Sequence, residues 1–154
     1  MMIKALGLMA TLAIICAGQP MAAQMPQVSP IPRPNTAAAF PVLSEKEAWL
    51  AHQAGVLFLD ARPRTDFMQG NIPGSISLPL RDRDFEDRLW EFLASARNKP
   101  TAAVVVYCSG CCSTDAVFLA LRLQEVGFKQ IKHYKDGLPG WMRAEHPISK
   151  VALQ

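Results

Sequence analysis

The chain has 154 residues, of which 50% are apolar and 19% charged, and its formal net charge is +3. This length holds one domain of ordinary size, which excludes a multidomain enzyme within these residues, and the apolar content excludes disorder of the whole chain. The 16 basic residues are balanced by 13 acidic ones and form no dense cluster. Because nucleic-acid binders usually carry a basic stripe, composition gives no support to a nucleic-acid partner.

The N-terminal residues 1–23 are typical of a secretory signal peptide. Lys4 precedes the uninterrupted apolar run Ala5–Ala17, and small residues follow as far as Ala23. As a helix the run would span about 20 Å, short of the roughly 30 Å hydrocarbon core, so no stable membrane anchor is expected. We predict a periplasmic or secreted protein whose cleaved signal also removes Cys16.

A proline-rich stretch separates this signal from the predicted domain. Residues 24–41 contain five prolines, with Ala, Ser, Asn and Thr among the residues between them. Neither a helix nor a strand can be sustained by such a composition. We therefore predict an extended linker over residues 24–41 and one folded domain over residues 42–154.

Strands and helices are predicted to alternate along this domain. Ser44 and Glu47 form a capping box, so a helix is expected from Ser44 to about Gly55. Apolar runs predict strands over 56–59, 75–78, 102–107 and 131–134, and helical spacing or capping signals predict helices over 64–69, 84–96, 114–126 and 137–145. This alternation implies a parallel sheet with helices on both faces and with ligands at the carboxyl ends of its strands.

Three of the four cysteines lie within five residues, between the strand 102–107 and the helix that follows it. Backbone N–H groups of such a loop, together with the helix N-terminus, favour a thiolate over a thiol at Cys108. We interpret Cys108 as a nucleophile beside an anion site. Buried cysteines also serve as small apolar side chains, and this alternative stays open for Cys111 and Cys112. Thr114 or Ser113 is expected to cap the helix.

Three motifs, in order along the chain, resemble signatures of the rhodanese-like family. Asp60, Arg62 and the segment 66–76, which reads Asp-Phe-Met-Gln-Gly-Asn-Ile-Pro-Gly-Ser-Ile, resemble the first signature. Val105-Val106-Tyr107-Cys108 with its loop is similar to the family's active-site segment, and Gly137-Leu138-Pro139-Gly140-Trp141 resembles its closing motif. The resemblance covers nearly all of residues 43–148.

The resemblance implies an α/β, rhodanese-like fold with a central, mainly parallel five-stranded sheet flanked by helices. It also implies a thiosulfate sulfurtransferase without cofactor or metal. The Cys108 thiolate would attack the outer sulfur of thiosulfate or a related small anionic donor, and sulfite would leave. Cyanide, or a thiol of a small molecule or protein, would take the sulfur from the Cys108 persulfide. The substrate would be bound by Ser109, Gly110, Cys111, Cys112, Ser113 and Thr114.

The chain departs from the family pattern at three positions. Asn71 stands where histidine is usual. The family often has a basic residue directly after the cysteine and a glycine three residues after it, whereas this chain has Ser109 and Cys111 there, with Gly110 one position early. Ser109 therefore removes a cation that could attract thiosulfate.

Other conspicuous residues have simpler interpretations. Asp60 and Arg62 are expected to tie loops together near the site, and Trp141 is expected to lie in the core. The three histidines are scattered, so a histidine general base has no sequence support: His52, His133 and His146. Four cations could frame an anion site, although a solvated charge is the simpler interpretation of each: Arg81, Arg83, Lys135 and Arg143.

Two alternative functions use the same cysteines. Cys108 and Cys111 have the spacing of a redox pair, so a periplasmic thiol redox protein is the first, with Cys111 resolving a persulfide or sulfenic acid on Cys108. A carrier of Cu(I) or another soft metal through Cys108, Cys111 and Cys112 is the second. A cysteine phosphatase is excluded, because it needs an arginine six residues after the nucleophile and Thr114 stands there.

Overall fold

The computed structural model describes residues 40–95, 99–110 and 113–151, which belong to the compact unit Arg33–Gln154. The predicted signal, the predicted linker as far as residue 39, and Cys111 and Cys112 lie outside the described residues. No helix within the described ranges is long and apolar enough to cross a lipid bilayer.

The predicted helices and strands are confirmed, with small differences at their ends. In chain order they are α1 Glu45–Gln53, β1 Leu57–Asp60, α2 Arg64–Gln69, β2 Ile76–Ser77, α3 Phe85–Ala94, β3 Ala103–Tyr107, α4 Asp115–Glu125, β4 Gln130–Tyr134 and α5 Gly137–Arg143. The capping box that predicts α1 is complete. The Glu47 carboxylate accepts from Ser44 N at 2.8 Å, and Ser44 Oγ accepts from Glu47 N at 3.4 Å.

The strands form a parallel sheet in the order β2-β1-β3-β4. The resemblance implied five strands, whereas the described residues form four strands and a single parallel bridge between Val42 and His133. At this bridge Leu43 N donates to His133 O at 2.9 Å, and His133 N donates to Pro41 O at 2.8 Å. Pro41 has no N–H of its own, so the ladder cannot extend through it and the fifth strand is reduced to this bridge.

Side chains of β3 alternate between two cores, one on each face of the sheet. Val104 and Val106 pack in one core, to which α3 and α4 contribute Leu89 and Leu119. Val105 and Tyr107 pack in the other core, together with Leu43, Ala48, Leu138 and Trp141. This alternation is the two-residue period of a strand, and it confirms that helices cover both faces. Trp141 is fully buried, which confirms its predicted place in the core.

The cysteine loop follows the strand at which the sheet changes its direction of winding. The chain passes from β1 outwards to β2, and later from β3 outwards to β4 on the opposite side. Neighbouring strands whose connections diverge in this way leave a crevice at their carboxyl ends, where ligands bind in open parallel sheets. Cys108 directly follows β3 at this crevice, and Ala61 N, after β1, donates to Tyr107 O at 3.0 Å.

The half-buried imidazole of His133 makes stability depend on pH. Burial, and then the charge of Lys135, lowers the pKa of His133 from its ordinary value of 6.5. The unfolded chain therefore takes up a proton at higher pH than the folded chain does. The stability contributed by the neutral imidazole is complete above about pH 6.5 and is lost as the pH falls towards the lowered pKa.

Urea unfolding at about pH 7.5 and 5.5 tests this linkage. We expect the unfolding free energy of the unaltered chain to fall at the lower pH, and that of His133→Gln to fall less because glutamine gains no proton. Lys135→Gln should give an intermediate fall, since it removes the smaller of the two causes. Equal falls in all three chains would rule out His133 as the source.

Candidate active site

Cys108 is almost completely buried, with 3% of its surface exposed. Its side chain closes the core that contains Leu59 and Ala116. Sγ lies 2.9 Å from Ser113 Oγ and 3.8 Å from Ser109 Oγ. Within the described part of the loop, the polar partners of the sulfur are therefore hydroxyl groups, and the nearer one belongs to Ser113.

Ser113 connects the sulfur to the start of α4. Its Oγ accepts from the backbone N–H of Asp115 at 3.3 Å, so Ser113 caps the helix with its side chain. Thr114 occupies the N-cap position but makes no cap bond with its side chain. A serine hydroxyl has one proton to donate, and since Asp115 occupies an acceptor site, that proton is available to the sulfur.

The N-terminus of α5 packs directly against the backbone of the cysteine loop. Leu138 N donates to Cys108 O at 3.2 Å. Gly137 has φ +58°, and a Cβ atom built on it would lie 2.1 Å from Cys108 O and 2.8 Å from Gly110 N. Only glycine permits this approach. Gly110 itself has φ +124°, so the loop places its glycine conformation two residues after Cys108 instead of three.

Asp60 and Arg62 form a buried ion pair beside β3, with 0% and 6% of their surfaces exposed. Arg62 Nη2 donates to Asp60 Oδ2 at 2.6 Å and also to Gly70 O at 2.6 Å. Burial acts against the charged guanidinium, but the hydrogen bonds and the charge of Asp60 raise the pKa of Arg62. The pair ties the end of β1 to the end of α2, and no atom of either side chain is hydrogen-bonded to Cys108.

Tyr107 and Asn71 hold the first motif against the sheet. The phenolic oxygen of Tyr107 accepts from Ile72 N at 3.2 Å and lies 3.0 Å from Ser75 Oγ. Burial, followed by the charge of Asp60, raises the pKa of Tyr107, so the phenol stays neutral. Asn71 donates through Nδ2 to Phe67 O at 3.0 Å. The residue that replaces the usual histidine therefore fastens the turn after α2.

The structure pairs Arg81, for which the sequence favours a solvated charge over a place at an anion site, with Asp115 in the first turn of α4. Arg81 Nε and Nη2 lie 2.9 and 2.8 Å from Asp115 Oδ1. The two residues are 34 positions apart, so no local pattern could have paired them. The one local feature of the sequence that points to Asp115 is its place as an acidic residue in the first turn of the helix after the loop. The other three cations are exposed and form no ion pair within the described ranges: Arg83, Lys135 and Arg143.

The redox and soft-metal interpretations both involve Cys111 and Cys112, which lie outside the described ranges. Among the residues that the structure does describe, no group of three or more His, Cys, Asp or Glu side chains is arranged to hold a metal ion. Cys108 is a free thiol there.

The model of the Rhodanese-like domain family matches residues 44–144. This chain therefore belongs to the rhodanese-like domain family, as its three motifs indicated. An HTH-type transcriptional regulator of Mycobacterium tuberculosis is 30% identical over 111 residues, which are 71% of this chain and 45% of the regulator. The chain thus spans less than half of that relative.

Two solved structures share the fold. A thiosulfate sulfurtransferase from Pseudomonas aeruginosa is 23% identical with a TM-score of 0.55, over 75% of this chain and 21% of that one. The polysulfide-sulfur transferase homodimer from Wolinella succinogenes is 22% identical with a TM-score of 0.55, over 73% of this chain and 80% of that one. At these identities the similarity establishes the α/β rhodanese-like architecture.

The close approach of Gly137 to Cys108 predicts a large effect of one methyl group. Gly137→Ala should lower the unfolding free energy by more than about 2 kcal/mol, because positive φ alone costs about 1–2 kcal/mol and the methyl group must also displace the Cys108 carbonyl. Gly74→Ala is the matched control, since Gly74 has φ +75° and nothing within 4 Å of its added Cβ. Urea unfolding measures both. Equal losses would mean that the contact with Cys108 costs nothing.

Proposed function

We propose that this protein is a sulfurtransferase that carries sulfane sulfur as a persulfide on Cys108. The observation that supports this most directly is the 2.9 Å separation of Cys108 Sγ and Ser113 Oγ at the carboxyl end of β3. A hydroxyl proton donated to an anionic sulfur is a charge-assisted hydrogen bond, which is stronger than a neutral one. Membership of the rhodanese-like family supports the same chemistry.

In the first half-reaction, the Cys108 thiolate attacks the outer sulfur of thiosulfate. A sulfur–sulfur bond forms to Cys108, the bond between the two sulfur atoms of thiosulfate breaks, and its electron pair leaves with sulfite. The product is a Cys108 persulfide whose terminal sulfur is anionic. Ser113 stabilises the thiolate from which the attack begins, and its position is fixed by the cap that it makes to Asp115.

In the second half-reaction, a nucleophilic acceptor attacks the terminal sulfur of the persulfide. The sulfur–sulfur bond breaks, its electron pair returns to Cys108, and the thiolate is regenerated. Cyanide becomes thiocyanate, whereas a thiolate becomes a persulfide. Neither step needs an oxidant, a reductant or a cofactor, and the two steps together give ping-pong kinetics.

The burial of Cys108 supports small substrates. With 3% of the residue exposed, Cys108 gives a donor only narrow access to Sγ. A compact anion such as thiosulfate fits this access better than a bulky molecule does. We further propose that transfer takes place outside the cytoplasm, after export through the signal predicted over residues 1–23, with a small-molecule or protein thiol as acceptor.

The first half-reaction can be detected by mass. The reduced full chain is incubated with thiosulfate, and its intact mass is recorded before and after addition of cyanide. We expect one added sulfur atom that cyanide removes, no addition in Cys108→Ser, and normal addition in the control Cys16→Ser, which replaces the one cysteine that lies outside the loop in the sequence.

Sulfur on Cys108→Ser would refute the assignment of the nucleophile. If the unaltered chain gains no sulfur while its thiols still react with an alkylating agent, thiosulfate is not its donor. The redox and Cu(I) interpretations of the three cysteines would then take precedence.

Removing the Ser113 hydroxyl should slow sulfur loading. We expect Ser113→Ala to lower kcat/KM for thiosulfate by about ten- to a hundredfold, somewhat below the effect of deleting an oxyanion donor. Ser113→Thr keeps a hydroxyl and should retain most of the rate. Thr101→Ala is the control, because Thr101 is exposed and precedes β3, at the end of the strand opposite Cys108. A rate for Ser113→Ala equal to that of Thr101→Ala would show that the hydroxyl does not act on the sulfur.

A further inference from the structure

The surface beside the cysteine loop carries an arginine that is held in place. The Arg81 side chain is 75% exposed, whereas that of its partner Asp115 is only 13% exposed. Both Nε and Nη2 of Arg81 are bonded to Asp115 Oδ1, at 2.9 and 2.8 Å. A guanidinium bonded through two nitrogens to a largely buried carboxylate has a defined position even though it faces solvent.

Short contacts connect this guanidinium to the sulfur. Asp115 donates its backbone N–H to Ser113 Oγ at 3.3 Å, and Ser113 Oγ lies 2.9 Å from Cys108 Sγ. The pKa of Arg81 is raised first by its hydrogen bond to Asp115, then by the charge of Asp115, and to a smaller extent by Cys108.

Arg81 offsets the negative charge of Asp115 beside the cysteine loop. Apart from Cys108, the described loop side chains carry no charge, and Ser109 occupies the position after the cysteine where a cation was expected. Asp115 alone would therefore present a negative charge to an anionic donor. Arg81 offsets that charge, and its Nη1 makes no hydrogen bond to any residue in the described part of the chain, so it can bind a further anion.

We infer that Arg81 determines donor specificity by favouring anionic sulfur donors at Cys108, in place of the cation that is missing at Ser109. This inference rests on the proposed function. As the Cys108 thiolate takes the outer sulfur of thiosulfate, negative charge accumulates on the departing sulfite. The Arg81 guanidinium pairs with the oxygens of that group outside the loop, while the transferred sulfur stays inside it.

Two donors of different charge test the inference in the full chain. Thiosulfate carries two negative charges, whereas benzenethiosulfonate carries one and loses benzenesulfinate in the same displacement. We expect Arg81→Gln to lower kcat/KM for loading from thiosulfate about tenfold, at the lower end of electrostatic steering effects, and from benzenethiosulfonate about threefold. Arg81→Lys should recover part of the difference, because it restores the charge.

Arg83→Gln is the matched control. Arg83 is exposed two residues further on and has no ion pair within the described ranges, so the variant removes the same charge from the same segment. It should leave both rates within about twofold. The inference would be overturned if Arg81→Gln lowered kcat/KM equally for both donors. It would also be overturned if Arg83→Gln lowered kcat/KM for thiosulfate more than for benzenethiosulfonate, as Arg81→Gln is expected to do.

A second measurement does not require sulfur transfer. Iodoacetate and iodoacetamide both alkylate a thiolate and release iodide, but only iodoacetate is an anion. In chains that also carry Cys111→Ser and Cys112→Ser, with the modified residue located by tandem mass spectrometry, Arg81→Gln should lower the iodoacetate-to-iodoacetamide rate ratio at Cys108 about fivefold.

The two measurements separate the inference from the proposed function. An unchanged alkylation ratio overturns the role of Arg81 even if sulfur loads normally on Cys108. A lowered ratio without any sulfur loading supports the anion preference created by Arg81 and refutes the sulfurtransferase assignment.

Discussion

The candidate site depends first on the parallel hydrogen-bond ladder that holds β3 between β1 and β4. Tyr107, the last residue of β3, pairs in register with Asp60 and with Tyr134. Because an inner strand cannot slip without breaking two ladders and exchanging its core faces, the residue after it has a fixed position. That residue is Cys108, which lies at the crevice that the divergent connections of β1 and β3 create at the carboxyl ends of the strands.

Burial of a sulfur anion costs free energy unless polar groups face the anion. The elements around β3 supply such groups. Ser113 lies against Sγ because its hydroxyl also caps α4. The loop backbone is held by the hydrogen bond from Leu138 N to Cys108 O and by the close approach of Gly137, which has no Cβ. The buried charges behind the loop cancel within the Asp60–Arg62 pair. In the proposed reaction, the Cys108 thiolate is therefore the charge that the site itself must stabilise.

The parts of this structure that could be predicted from the sequence are those governed by local signals. Helix α2 agrees with its prediction residue for residue because Pro63 and Gly70 delimit it, and Cys108 can be identified because three cysteines lie between an apolar strand and the next helix. The reduction of the fifth strand to a single bridge among the described residues, and the Arg81–Asp115 pair, are not predictable in the same way. The strand depends on how far the Pro41 segment can pair with β4, and the ion pair joins residues 34 positions apart, which only the tertiary fold brings together.

The position of Arg81 separates two requirements that a basic residue inside the loop would combine. Cys108 must be shielded from water to keep its reactivity, yet a donor with two negative charges needs a cation in reach. A lysine or arginine in the loop would bring its charge and its hydration next to the sulfur. Arg81 instead extends from the connection between β2 and α3 and is held at the rim by Asp115. The sulfur can then stay buried while the solvent-exposed Arg81 guanidinium pairs with the charge of the leaving group. A loop without a cation therefore remains compatible with an anionic donor.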